Sequence, residues 1–272
     1  MRHSVSIDTL PPLTINPIFT NRITRYFRIS RIVTHMLVGV MTAGAVFPWA
    51  SQPLKLRLTK WWCGHLLVAF NMRVTAHGHV PPPSQAITST MVVANHISWV
   101  DIHALNSIVP LRFIAKSEIK NWPIIGYLAR KANVLFINRE KRQDAARIMQ
   151  VTSRSLMDGD NLCLFPEGTT TDGTTMMPFK SSIIQAAIHA KATIHPVAIR
   201  YPNPNGSANI GVAYAGETTM KESMLQILSQ KNPVVELHFL APIHTTALAH
   251  ADKNRQELTL HIHDLIREKL GF

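Results

Sequence analysis

The sequence predicts an α/β fold with a mostly parallel central sheet flanked by helices. From residue 74 onward, short apolar runs alternate with longer segments in which apolar residues recur near helical spacing. Such alternation is typical of parallel sheets, because two parallel strands are joined by a crossover that usually contains a helix. At 272 residues the chain is long enough to bury a complete core. We therefore predict one α/β domain over residues 74–272, preceded by a helical attachment.

The attachment is strongly basic. Residues 1–20 carry three prolines among polar residues and are predicted to be a mobile lead-in. Residues 1–73 contain nine Lys or Arg and one acid, and they hold +8 of the net charge of +12. These basic residues alternate with apolar ones and no nucleic-acid motif is evident. We therefore predict contact with an anionic membrane surface and not with nucleic acid.

Residues 21–73 are predicted to form a membrane-associating helical hairpin. Arginines recur at every third position from Arg22 to Arg31, and the eighteen residues 32–49 are apolar apart from Thr34, His35 and Thr42. Eighteen residues are the lower limit for crossing a bilayer, so crossing and shallow insertion both remain open. The second helix, residues 54–72, combines tryptophans with lysine and arginine, which is typical of helices at headgroup depth.

The elements of the domain at residues 74–272 follow from apolar runs bounded by turn-forming residues. Strands are expected at residues 74–80, 90–94, 111–115, 134–137, 161–165, 193–200, 210–213 and 234–239. Helices are expected at 101–108, 122–131, 142–157 and 182–190, around Leu225, and at 256–270. Pro123 supports a helix that opens at Trp122, since proline is favoured in a first turn. The turn-rich residues 202–209 are predicted to be a loop.

The strand at 90–94 runs into a polar segment that carries His96 and Asp101. Five residues rotate an α-helix by about 500°, so this pair does not share a helix face. The two side chains can meet only if the chain turns between them, with His96 in the turn and Asp101 near the start of the next helix. A carboxylate that accepts one ring N–H would fix the imidazole tautomer and leave the other nitrogen as a base. Taken alone, the pattern also fits a core histidine followed by an N-capping aspartate.

Two further strand ends carry polar residues. The strand at 161–165 leads into Phe165-Pro166-Glu167-Gly168-Thr169-Thr170-Thr171-Asp172-Gly173. Gly168 allows a positive φ and a close approach to a ligand, and the threonine hydroxyls and backbone N–H groups are a candidate anion cradle. Arg139 follows the strand at 134–137 and suits a phosphate. The Gly168–Gly173 spacing imitates a P-loop, but Thr174 stands where the lysine is required, so we reject that interpretation.

In their order, these segments resemble the motifs of the glycerolipid acyltransferase family, whose members acylate lysophosphatidic acid and related lipids. His96 and Asp101 match the family's His-x4-Asp, Arg139 matches the arginine of the second motif, and residues 165–169 match the third. The apolar, proline-containing residues 194–197 resemble the fourth. The matched segments span residues 95–197, and their order makes the resemblance far more specific than any one of them.

The third motif departs from the commonest family pattern at Thr170, where arginine usually stands. The form Glu-Gly-Thr-Thr-x-Asp-Gly, followed by Phe-Lys-Ser-Ser at 179–182, resembles a bacterial subset of the family. That subset includes presumed acyltransferases of lysophosphatidic acid and of lyso-ornithine lipids. The substitution therefore bears on the acceptor head group more than on the chemistry.

The resemblance implies transfer of a fatty acyl group from acyl-CoA or acyl carrier protein to a lysophospholipid hydroxyl. The expected acceptor is 1-acyl-sn-glycerol-3-phosphate, giving phosphatidic acid, with a lyso-ornithine lipid or another lysolipid as the alternative. His96 is expected to act as the general base, oriented by Asp101. Arg139 and the turn containing Gly168, Thr169 and Thr170 are expected to hold the acceptor phosphate. Glu167 would either accept a head-group hydroxyl or clasp the loop.

The remaining expectations concern location and rival classes. The enzyme is expected at the inner membrane with its catalytic domain facing the cytoplasm, with no metal and no cofactor besides the acyl donor. Cys63 and Cys163 lie in apolar segments and are predicted to be buried free thiols. An esterase or thioesterase would require a nucleophile elbow, Gly-x-Ser-x-Gly, and the sequence has none. A non-enzymatic membrane-binding module would explain the basic hairpin but not polar motifs at four strand ends.

Overall fold

The computed structural model describes residues 20–82, 87–137, 142–247 and 251–272. Within these ranges the helices are α1 Arg22–Met41, α2 Gln52–Ala69, α3 Val100–Ile108, α4 Ile125–Lys131, α5 Arg142–Met157, α6 Ile184–His189, α7 Met220–Ser229 and α8 Ala251–Leu270. The strands are β1 Arg73–Gly78, β2 Thr90–Ala94, β3 Arg112–Lys116, β4 Leu135–Ile137, β5 Leu162–Leu164, β6 Thr193–Arg200, β7 Val234–Phe239 and β8 Ile243–His244. Residues 1–19 of the predicted lead-in lie outside the described residues.

The strands form one mostly parallel sheet in the order β1-β7-β6-β2-β5-β3-β4, and β8 adds to β6. Strands β2, β3, β4, β5 and β6 run in the same direction, whereas β7 is antiparallel to β6 and parallel to β1. The predicted α/β fold is confirmed. The carboxyl ends of five parallel strands therefore meet at one edge of the sheet, which is where sites in such folds are usually built.

The sheet separates two apolar layers. Every residue of the central strand β2 is buried, as expected for a strand covered on both faces. Helices α2, α3 and α7 contribute to the core on one face, and α6 and α8 contribute to the core on the other. The N-terminal helices share the first of these cores, because Leu66, Leu67 and Phe70 of the α2 segment pack with the sheet. The proposed domain boundary at residue 73 stays a prediction.

Two predicted elements are wrong. Residues 210–213 were expected as a strand but form a 3₁₀ turn at Ile210–Val212. Both edges of β6 are already paired, with β2 on one side and β7 and β8 on the other. Residues 210–213 therefore do not join the sheet through hydrogen bonds, and Val212 is buried by side-chain packing instead. The helix expected from Trp122 begins only at Ile125, because Ile124 has a φ of 60°, which interrupts a right-handed helix.

Helices α1 and α2 form the predicted hairpin. Helix α1 continues as a π-helical turn, and Arg22–Val46 is the one helix among the described residues that is long and apolar enough to cross a bilayer. It has 25 residues and a mean hydropathy of 1.5 in its most apolar window. Large apolar side chains along it are exposed, namely Ile23, Tyr26, Phe27, Val33, Leu37 and Met41.

The arginines of α1 are not all available to a membrane. The guanidinium of Arg28 is buried and donates to the carbonyls of Leu228, Gln230 and Lys231 at the end of α7. Arg31 likewise donates to the carbonyl of Val68 in the last turn of α2. Cations are favoured at helix C-termini because the free carbonyls carry partial negative charge. These residues fix α1 to the protein, which the sequence pattern did not reveal.

Candidate active site

The turn after β2 places His96 against Asp101, as the sequence predicts. The chain turns at residues 95–99, α3 begins at Val100, and His96 Nδ1 lies 2.8 Å from Asp101 Oδ2. Asp101 is fully buried and also accepts the backbone N–H groups of Ile97 at 2.7 Å and Ser98 at 3.0 Å. Its second oxygen accepts the hydroxyl of Tyr201. A carboxylate with four donors is held in one position, so it orients the imidazole firmly.

The ring of His96 remains accessible. It stacks on Phe165 with a centroid distance of 3.9 Å and an interplanar angle of 7°, yet its side chain keeps 17% exposure. Because Nδ1 is engaged by Asp101, Nε2 is the nitrogen left to act as a base. Burial of the carboxylate together with partial exposure of the imidazole is the arrangement that a general base requires.

The turn after β5 is tied to the His96 turn by its own carboxylate. Glu167 is 4% exposed and accepts the backbone N–H of His96 at 2.6 Å and that of Met177 at 2.8 Å. The backbone N–H of Thr171 donates in return to the carbonyl of His96 at 2.9 Å. These contacts match the clasp that was one of the two expectations for Glu167. A further role toward a substrate hydroxyl stays a prediction.

The other predicted substrate-binding residues fall in different environments. Gly168 has a φ of 77°, the conformation for which glycine was expected. Thr169 is exposed, whereas the hydroxyl of Thr170 donates inward to the carbonyl of Tyr214. Arg139 lies outside the described residues. The binding roles of these four residues remain predictions.

Sequence reasoning missed several residues that hold the site together. Tyr201 follows β6 and reaches Asp101 across 100 positions of sequence. Asn95 bridges to the backbone of Ile199 in β6 through both its amide oxygen and its amide nitrogen. Burial, followed by the neighbouring carboxylate, raises the pKa of Tyr201 well above its ordinary value, so the phenol stays protonated and donates. Only the sheet order shows that β6 lies beside β2.

A cavity of about 230 Å³ lies beside the turns that follow β2 and β5. Its lining includes Ile97, Asp172, Gly173, Arg200 and Tyr201. Hydrogen bonds from the backbone and hydroxyl of Thr174 lower the pKa of Asp172, so this carboxyl is ionised at neutral pH. The cavity therefore combines a carboxylate with a guanidinium at the same edge of the sheet as His96.

Burial raises the pKa of Glu167 to about 7 from an ordinary value of 4.5, and the two N–H donors oppose that shift. The folded state therefore binds this proton more tightly than the unfolded state does. The resulting stability is fully present below pH 4.5 and is lost as the pH rises to about 7. We expect the free energy of unfolding to fall by about 3 kcal/mol over that interval. Denaturant unfolding of the wild type at a series of pH values measures this.

The matched variants are Glu167→Gln, which is neutral at every pH, and Glu217→Gln at an exposed position. The Glu167→Gln protein should lose this part of the pH dependence, and the Glu217→Gln protein should keep it. Equal slopes in all three proteins would show that Glu167 does not titrate in this range.

Comparison with known proteins agrees with this geometry. The Acyltransferase family model matches residues 73–200. A lyso-ornithine lipid O-acyltransferase of Pseudomonas aeruginosa is 35% identical over 204 residues, which cover 75% of this chain and 76% of the relative. A 1-acyl-sn-glycerol-3-phosphate acyltransferase of Neisseria gonorrhoeae is 35% identical over 159 residues, which cover 58% of this chain and 62% of the relative.

The architecture also matches a solved structure. The crystal structure of the 1-acyl-sn-glycerophosphate acyltransferase PlsC from Thermotoga maritima superimposes with a TM-score of 0.67 and 17% identity, covering 92% of this chain and 95% of that one. The sheet topology is that of the PlsC-like α/β fold, and the histidine–carboxylate pair lies at the carboxyl edge of its sheet. The sequence matches identify the protein further: the chain belongs to the acyltransferase family, and the family resemblance is confirmed.

Proposed function

We propose that the protein transfers a fatty acyl group from an acyl thioester to the hydroxyl of a lysolipid, with His96 as the general base. The observation that carries this proposal is the partly exposed imidazole held by a buried carboxylate, 2.8 Å away, with no described serine, threonine or cysteine side chain hydrogen-bonded to the ring. Ser98 is completely buried, and burial raises the pKa of the buried Cys163 thiol well above its ordinary value. The attacking group is therefore the hydroxyl of the substrate.

In this mechanism, Nε2 of His96 removes the proton of the acceptor hydroxyl as its oxygen attacks the thioester carbonyl. Asp101 stabilises the imidazolium that forms, as the buried acid does in a hydrolase triad. Collapse of the tetrahedral intermediate breaks the carbon–sulfur bond, and the imidazolium returns its proton to the departing thiolate. Arg139, two positions beyond the end of β4, and the turn at 168–170 are proposed to hold the acceptor phosphate.

The first acceptor to test is 1-acyl-sn-glycerol-3-phosphate, the substrate in the name of the Neisseria relative. A lyso-ornithine lipid is the second candidate, and two observations favour it. The relative with that name is matched over more of this chain, and Thr170, which stands in place of the family's usual arginine, uses its hydroxyl inside the protein.

Release of thiol from an acyl thioester tests the proposal directly. We expect purified protein to release thiol only when a lysolipid is present, and the two acceptors compared with one donor rank the head groups. Release without an acceptor would identify a thioesterase, and no release with any acceptor would contradict the proposed function. A synthetic acceptor that lacks the free hydroxyl is the matched control.

We also propose that the hairpin inserts its exposed apolar face into the membrane that supplies the acceptor, with the catalytic domain on the cytoplasmic side. After a high-salt wash the protein should remain in the membrane fraction, because salt screens charge contacts but does not weaken apolar insertion. The Leu37→Glu, Met41→Glu variant places charges on the exposed apolar face, so less of it should remain in the membrane fraction than of the wild type. Release of the wild type by salt alone would show that the apolar face is not inserted.

A further inference from the structure

A second cavity, of about 340 Å³, lies between the tip of the hairpin and α4. Four of its lining residues are cationic, namely Lys55, Arg112, Arg130 and Lys131, and none of its described lining residues is acidic. The lining also includes the polar residues Gln52, Thr59 and Asn133. A concave surface with only one sign of charge concentrates ions of the opposite sign.

Three of the four cations have charge to offer a ligand. Arg112 is committed, since it pairs with Asp160 and also donates to the hydroxyl of Ser155. Lys55 is half-buried and forms no ion pair with a described residue. Arg130 donates one N–H to the carbonyl of Lys120, and the ammonium of Lys131 lies 5.7 Å from the ring of Tyr127. Neither of these contacts neutralises a charge, so the cavity keeps a positive potential.

The cavity lies far from the catalytic turn. Arg112 begins β3, and Asn133 stands just before β4, so the cavity is at the amino edge of the parallel strands, whereas His96 lies at their carboxyl edge. The five residues of β3 span about 16 Å, which separates the two edges.

The cavity is continuous with the exposed apolar tip of the hairpin. Pro48 lines it, and the neighbouring Trp49 is 89% exposed. Leu54 is exposed next to Lys55, and Val46 is exposed on the π-helical turn. Tryptophan and aliphatic side chains beside cations are typical of protein surfaces at the headgroup depth of a bilayer. The charges therefore face the polar zone just outside the apolar surface that the hairpin presents.

We infer that this cavity binds the phosphate of an anionic membrane phospholipid, as an anchoring site separate from the acceptor site. The inference uses the membrane insertion proposed for the hairpin but not the catalytic roles of His96 and Asp101. Arg130 suits a phosphate because its planar guanidinium can donate two parallel N–H bonds. Lys131 adds a point charge from the same helix, and Lys55 adds one from the opposite wall of the cavity. The lipid chains would lie along Trp49 and Leu54.

The test compares two proteins that lose the same charge. One carries Lys55→Gln, Arg130→Gln and Lys131→Gln, and the control carries Lys221→Gln, Arg267→Gln and Lys269→Gln at exposed positions outside the cavity. Partition is measured on phosphatidylcholine vesicles with and without phosphatidylglycerol. The cavity variant should bind the phosphatidylglycerol vesicles on the order of 100-fold more weakly than the wild type, since each surface cation contributes about fivefold. The control should change severalfold at most.

Four further outcomes decide the inference and separate it from the proposed function. Short-chain phosphatidylglycerol should protect Lys55 and Lys131 of the wild type, but not the exposed Lys221 and Lys269, against modification by an amine-reactive reagent. Protection by inorganic phosphate alone would assign the cavity to a soluble anion and overturn the lipid. Equal partition of both variants would overturn the site altogether. Acyl transfer by the cavity variant in detergent micelles should stay within about twofold of the wild type, so failure of this site is distinguishable from failure of the proposed function.

Discussion

Replacing His96 by alanine is expected to lower kcat for acyl transfer by about 10²–10⁴-fold, the usual contribution of a positioned general base. An alcohol is a weak nucleophile at neutral pH, and His96 Nε2 is the base that the geometry makes available beside the 165–171 turn. The alanine also removes the stacking contact with Phe165 at 3.9 Å. Asp101 keeps its other three donors in this variant, so the turn is expected to hold its shape.

The measurement is acceptor-dependent thiol release by purified wild-type and His96→Ala protein, with circular dichroism and vesicle binding as checks of folding and membrane attachment. His189→Ala is the matched control, because His189 is exposed at the end of α6 on the other side of the sheet. It should be as active as the wild type. If His96→Ala protein is folded and retains activity within tenfold of the wild type, His96 is not the base.

The contact between His96 and Asp101 could be predicted because it is local. An apolar run, a turn and a helix start within a dozen positions leave few ways for the two side chains to meet, and the motif order supplied the rest. The fold class followed for a similar reason, since alternation of strands and helices is encoded locally. The order of residues within short segments was enough to predict both the contact and the fold class.

Contacts that join distant segments could not be predicted. Tyr201 reaches Asp101 only because β6 pairs with β2, and that pairing depends on the sheet order. Arg28 belongs to a regular row of arginines, yet it is buried because the end of α7 is packed against it, 200 positions later. Residues 210–213 have the composition of a strand, but β6 has no free edge to pair with them. In each case a segment far away in the sequence decides whether the residue is buried, bonded or paired.

Replacing Asp101 by asparagine is expected to lower kcat by about 10²–10⁴-fold, the range of general-base catalysis, while preserving the fold. Oδ2 accepts the ring of His96 and two backbone N–H groups, so the asparagine oxygen must occupy this position. The amide nitrogen then faces the hydroxyl of Tyr201, which can accept from it. The imidazole tautomer is kept, but the negative charge that stabilises the imidazolium is lost. That charge is completely buried, where charge interactions are strongest.

Two further substitutions, one at Asp101 itself and one at its partner Tyr201, separate the loss of charge from the loss of structure. Asp101→Leu has a similar size but accepts nothing, so it leaves four donors unsatisfied at about 1–3 kcal/mol each and is expected not to fold. Tyr201→Phe removes one donor and keeps the carboxylate, so its kcat should stay within about tenfold of the wild type. Thermal unfolding and acceptor-dependent thiol release measured on all three proteins give the comparison. A folded Asp101→Asn enzyme with nearly wild-type kcat would mean that the carboxylate positions the turn without taking part in proton transfer, because geometry is the only property that this variant retains.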